Sequence, residues 1–213
     1  MIKIEAVNVM NFDNAIRGAR NPLNSWHLAD SYYEGDKFIL GEKDLNLALR
    51  LVRAGSDHRK FIRQIFVSID ITAPLYWWKE YDTYKVATVA NSTSTMHKIS
   101  AKEFELNDFS YEEMNDETKE QLKLVINHLE KLRINFNDTK DKTIWYSMIQ
   151  LLPSSYNQKR TCTLNYENLL SMYFSRRNHK LKEWREFCEW LKTLPYMNEF
   201  IKVIEEKDKN NKM

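Results

Sequence analysis

Five consecutive polar residues, Asn91, Ser92, Thr93, Ser94 and Thr95, concentrate hydroxyls and an amide in one short stretch. Groups this close in sequence either cap a helix or bind a polar ligand. Arg17 and Arg20 lie three apart, on one helical face, just before Asn21-Pro22. Two guanidiniums beside a turn form a clamp for phosphate, or else stand as surface arginines at a helix end. Arg176 and Arg177 close an apolar run that begins near Leu169. A guanidinium there can grip phosphate through two parallel donors, or simply complement the negative end of the helix. His58 follows Gly55-Ser56-Asp57, where a lone imidazole is ordinarily a surface or capping residue.

These residues need elements to hold them. Residues 2–9 alternate, with Ile2, Ile4 and Ala6 against Lys3, Glu5 and Asn8, and read as a strand. Residues 32–40 read as a loop or hairpin. Residues 41–54 carry a broad apolar stripe and form a helix, stopped by Gly55. Ser56 or Asp57 then caps a short helix through Gln64. The β-branched run 65–71 predicts a strand ended by Ala73-Pro74, and the aromatic segment 75–84 predicts a helix opened by Pro74. Residues 111–136 predict a long amphipathic helix, with Leu122, Val125, Ile126, Leu129 and Leu132 inward. Residues 143–152 predict another, ended by Pro153. Residues 181–194 predict the last strong helix, with Trp184, Phe187, Cys188, Trp190 and Leu191 on its apolar side.

The 213 residues suffice for one domain with a real core, and 43% apolar with only four Gly and four Pro describes a helix-rich globular chain. A net charge of +2 makes no electrostatic case for nucleic acid. Cys162 and Cys188 form no metal spacing and no disulfide framework, which fits a reducing cytoplasm. No apolar run approaches the roughly 20 residues that span a bilayer, so no membrane partner is expected.

The stretch 67–98 resembles the core of the flavin-dependent thymidylate synthases, the ThyX family. That family carries an Ala-Pro strand end, a helix, and the motif R-H-R-x-x-S-x-N-E-x-S-x-R-Y. Placed on Asn91, the motif covers residues 84–97. Asn91 and Ser94 match, whereas Tyr84-Lys85-Val86 replaces Arg-His-Arg, Ser92 replaces Glu, and Met96-His97 replaces Arg-Tyr. His58 lies fifteen positions before Ala73, the family's spacing for a flavin-contacting His. Asn165 lies twelve positions after Pro153, the family's spacing for the Asn of Asn-x-Arg; Glu167 stands in place of that Arg. Arg176 falls where the family has a substrate-binding Arg at a helix end, and Ile149 falls where another substrate Arg precedes Leu-Pro. The helix 181–194 is loosely similar to the family's Ala-Gln-x-Glu-Ile-Arg run.

The resemblance implies an α+β fold: one domain over 1–204 with a central mixed or antiparallel sheet and long helices packed around it; residues 205–213, rich in Lys, Glu, Asp and Asn, read as a charged, flexible tail. It implies a homotetramer with active sites between subunits, FAD as cofactor, NADPH and methylenetetrahydrofolate as co-substrates, and dUMP or a related pyrimidine nucleotide as the methyl acceptor. It assigns His58, Lys85, Asn91 and Asn165 to the cofactor, Lys85 standing for one lost cation, and Ser92, Ser94 and Arg176 to the substrate. No residue is assigned as catalytic. Val86 supplies no charge and Ser92 cannot act as a carboxylate, so the alternative is a nucleotide-binding protein of altered specificity, or one without turnover, on the same fold. A purely helical interaction protein would leave the polar patch 91–95 unexplained.

Overall fold

A computed structural model describes residues 2–210. Two compact units arise along the chain: residues 2–5, 70–84 and 90–161 form the first, and residues 6–69, 85–89 and 162–210 the second. Strands β1 (Lys3–Met10), β4 (Phe66–Pro74), β5 (Val89–Ser92) and β6 (Asn157–Asn165) form a four-stranded sheet in the order β1-β4-β6-β5. Strands β2 (Tyr32–Glu34) and β3 (Lys37–Ile39) make a separate antiparallel hairpin. Its turn uses Gly35 at φ +59°, a left-handed conformation that costs glycine nothing.

The period of two in β4 sets its two faces. Val67, Ile69, Ile71 and Ala73 are buried, while Ser68, Asp70 and Thr72 point the other way. Antiparallel pairing with β6 follows from the facing residues. In the second unit Tyr166 N donates to Ile65 O (3.0 Å) and Thr163 Oγ1 reaches Ser68 Oγ (3.4 Å). In the first unit Thr161 Oγ1 meets Asp70 (2.6 Å) and Leu75 N donates to Tyr156 O (3.0 Å). The strand runs on through Ala73-Pro74 and passes directly into α3 (Leu75–Tyr81).

In the first unit, α4 (Thr95–Lys98) is one turn, and α5 (Asp116–Thr139) packs on α6 (Lys142–Leu151). Asn115 and Asp141 cap α5 and α6 by accepting from Thr118 N and Thr143 N, each at 2.8 Å. The core here is Ile99, Phe104, Phe109, Leu122, Ile126, Leu129 and Met148. Residues 111–115, expected within the long helix, lie before it: the first turn waits for the Asn115 cap.

In the second unit the helices are α1 (Phe12–Ala19), α2 (Glu42–Ala54), α7 (Tyr166–Arg176), α8 (Lys182–Leu191) and α9 (Met197–Asn210). The short segment before β4 is a 3-10 turn, Lys60–Gln64, and neither Ser56 nor Asp57 caps it. Tyr166 is central: its ring meets Phe12 edge-on (5.8 Å) and Phe200 (6.3 Å), and its hydroxyl donates to Pro195 O (2.9 Å). Helix α9 continues through 205–210, within the stretch expected as a flexible tail. Met197, Phe200 and Ile201 bury its inner face, and Glu205 pairs with Arg177. Residues 211–213 of that expected tail lie outside the described residues. Among the described residues no helix is long and apolar enough to cross a membrane.

Candidate functional site

The second unit gathers three of the sequence-identified segments at the first turn of α7. Asn165 caps this helix: its Oδ1 accepts from Asn168 N (3.0 Å), while Asn168 Oδ1 accepts from Asn165 N (3.3 Å). This reciprocal pair satisfies two of the backbone donors that a helix start leaves over. The Asn168 amide also donates to Val86 O (3.0 Å), which ties the Lys85 segment to the same turn. Arg59, next to His58, forks onto Glu167 with Nη2–Oε1 at 2.7 Å and Nε–Oε2 at 3.0 Å. The segments of His58, Lys85 and Asn165 are therefore fastened to one helix start, whose Tyr166 and Asn168 N–H groups donate to Ile65 O and Asn165 Oδ1. Glu167, which replaces an expected cation, is itself neutralised by Arg59.

His58 is exposed and borders an open cleft of about 500 Å³, with Gly18, Asn21, Leu51, Phe61 and Gln64 among its other walls. Apolar walls with a few polar edges suit a flat ring system that carries hydrogen-bonding groups. The cleft also has a tight floor, since a side chain at Gly18 would begin 3.3 Å from Gln64 Oε1.

Arg176 stands apart from this group. It ends α7, roughly 15 Å along the axis from Asn165 at 1.5 Å per residue. Its guanidinium lies 4.9 Å from the Trp184 ring centroid. Within one chain Arg176 and Asn165 thus cannot touch the same small group. Arg20 departs from the clamp expectation. It is 4% exposed, and its Nε pairs with Asp44 at 2.6 Å, so only Arg17 of the two is a surface cation. Sequence spacing placed both on one face but could not show a carboxylate 24 residues away.

In the first unit the polar patch divides between the two readings offered by its composition. Asn91 and Ser92 are exposed on β5, the last strand of the sheet order. Ser94 caps α4: its Oγ accepts from His97 N (3.2 Å) and lies 2.7 Å from His97 Nδ1. Thr93 N donates to Lys159 O (2.9 Å), and the Gln158 amide donates to Thr93 O (2.9 Å) and approaches Thr95 Oγ1 (3.3 Å).

Sequence reasoning passed over Arg160. Its guanidinium carbon lies 4.2 Å from the Trp78 ring centroid, its Nη1 pairs with Asp82 (2.7 Å), and its Nε donates to Gln158 Oε1 (3.0 Å). The signal that could have found it is the alternation of β6, which places 158 and 160 on one side of the sheet. Nearby, Lys159 pairs with Asp70 (2.8 Å), and the Lys159 and Thr161 hydrogen bonds hold the Asp70 carboxyl below its usual range. Among the described residues no cluster of three His, Cys, Asp or Glu side chains could hold a metal ion.

No protein-family model matches the sequence, and no curated protein matches it. The fold does have counterparts among solved structures. A crystal structure of Thymidylate Synthase X (ThyX) from Helicobacter pylori with FAD and dUMP matches with a TM-score of 0.72 at 16% identity, over 96% of this chain and 99% of that one. A second structure of flavin-dependent ThyX from the same organism, also complexed with FAD and dUMP, matches with a TM-score of 0.67 at 19% identity, over 96% and 98%. At these identities the likeness is one of fold: this chain has the α+β fold of ThyX, an antiparallel sheet with helices packed on it.

Proposed function

We propose that this chain is a flavin-dependent thymidylate synthase of the ThyX type. It methylates C5 of dUMP or a related pyrimidine nucleotide, using FAD, NADPH and methylenetetrahydrofolate, as a homotetramer in the cytoplasm. The observation that carries this reading is the fastening of the His58, Lys85 and Asn165 segments to one turn of α7, in a chain with the ThyX fold. FAD, when bound, supplies the hydride chemistry that side chains cannot.

The chain's own residues bind and orient. His58 offers an imidazole at the edge of a cleft with apolar walls, a fit for the ring of a flavin. Lys85 supplies positive charge for its phosphates. In the second unit Asn165 orients the cofactor from the helix start; in the first, Asn91 on β5 is the residue that the resemblance assigns to the cofactor. Ser92 and Ser94 present hydroxyls to the nucleotide. Arg176, set far from Asn165 along α7, holds the nucleotide in a site completed by a second subunit.

A second reading is a nucleotide-binding protein without turnover. It is favoured by the Arg59–Glu167 pair, which leaves no net cation where the resemblance expects one. Incubation with FAD, NADPH, methylenetetrahydrofolate and dUMP separates the two. Appearance of dTMP supports the enzyme. Binding of dUMP with no dTMP supports the second reading, and absence of both nucleotide and flavin binding contradicts both.

A further inference from the structure

The proposed reading leaves open which residue of the first unit receives the phosphate of the nucleotide. We propose that Arg160 does so; this inference rests on the nucleotide-binding part of that reading. Three observations carry it.

First, the guanidinium is held before any ligand arrives. Trp78, itself 1% exposed, lies under its face, and Asp82 and Gln158 fix two of its nitrogens. Trp78 is in turn anchored through its Nε1 to Gln158 O at 2.9 Å. An arginine immobilised in this way loses little further entropy on binding an anion.

Second, the anchored nitrogens are Nε and Nη1. Among the described residues no hydrogen bond engages Nη2, and the side chain keeps 16% of its surface exposed. Nη2 therefore remains as a directed donor for a phosphate oxygen.

Third, Gln158 links this arginine to the hydroxyl patch. Its Oε1 accepts from Arg160 and its Nε2 donates to Thr93 O, so one amide spans the gap between guanidinium and patch. Arg160 on β6 and the exposed residue Thr93 that follows β5 are thus joined through one side chain. Asp82 is 52% exposed, and its charge is well solvated, so it braces the guanidinium without cancelling its field at close range.

The distinguishing measurement is the ratio of affinities for dUMP and deoxyuridine, which differ only in the phosphate. Arg160→Met keeps an apolar stem on Trp78 and removes the charge. The expected result is a ten- to hundredfold loss of dUMP affinity with deoxyuridine binding little changed. A melting temperature close to that of the unaltered chain confirms that Arg160→Met is folded, and Arg160→Lys should recover part of the lost ratio. If both ligands weaken equally, or neither does, Arg160 is only a brace between β6 and the end of α3, and the inference falls while the proposed function stands. If the unaltered chain binds no dUMP at all, the proposed function falls and takes this inference with it.

Discussion

At the scale of single residues, the buried Arg20–Asp44 pair serves the fold rather than a ligand. Burial alone would raise the Asp44 carboxyl. Hydrogen bonds from Ser31 Oγ, the backbone of Asp30, Arg20 and the backbone of Ser31 outweigh it and hold the group below the usual carboxylate range. A depressed folded value means the stabilisation is present above the unfolded pKa of about 3.9 and is lost as pH falls through the lower folded value. The difference in unfolding free energy between the unaltered chain and Asp44→Asn should therefore be constant above about pH 5 and shrink below about pH 4. Removing one partner of so buried a pair should cost about 3–5 kcal/mol near neutral pH, read from urea unfolding. A difference under 1 kcal/mol would mean that water reaches the pair. Cys188 offers a second test. Burial pushes its thiol up to about 12, and Cys162 is buried as well. A thiol reagent should label neither cysteine until the chain unfolds, and rapid labelling of the folded protein would contradict that burial.

At the scale of elements, the start of α7 serves two ends, and substitutions can separate them. Asn165→Ala removes the reciprocal cap and should lower stability by about 1 kcal/mol, measured by chemical denaturation. Asn165→Asp keeps an acceptor for Asn168 N and should preserve stability. If Asn165 also orients a cofactor, Asp there should still weaken FAD binding. Equal FAD affinity in both variants would leave the residue as a cap only.

Much of this level was legible in the sequence. The alternation of β4, the stripe of α2 and the Pro153 stop all follow from local residue order. What was not legible depends on tertiary contacts. Asp30 caps α2 from outside the helix, accepting from Lys43 N (2.9 Å) and Asp44 N (3.0 Å), and the chain can pass that close only because Gly41 has no side chain. Polar residues 205–210 read as a fraying tail, but they continue a helix whose inner face is already buried upstream. The stack of Arg160 on Trp78 joins residues more than 80 apart in sequence, beyond the reach of any periodicity.

At the scale of the whole molecule, the site residues show how far one chain can go alone. Asn165 and Arg176 sit at opposite ends of one helix, and a rigid α-helix cannot bring its ends together. The proposed reading gives the first to the cofactor and the second to the nucleotide, in a site completed by a second subunit. Light scattering should report a mass of four 25.6 kDa chains; a monomer at micromolar concentration would contradict the tetramer. His58→Ala should reduce flavin affinity by roughly tenfold, the loss of one hydrogen bond to a charged or strongly polar group. Unchanged affinity would move the flavin away from the His58 cleft.

The most direct test of the account is the visible absorbance spectrum of the purified chain after incubation with FAD and removal of excess cofactor. The account predicts a yellow protein with bound-flavin bands that shift when dUMP is added, because cofactor and nucleotide share one site. A colourless protein that retains no FAD, with or without dUMP, would contradict it.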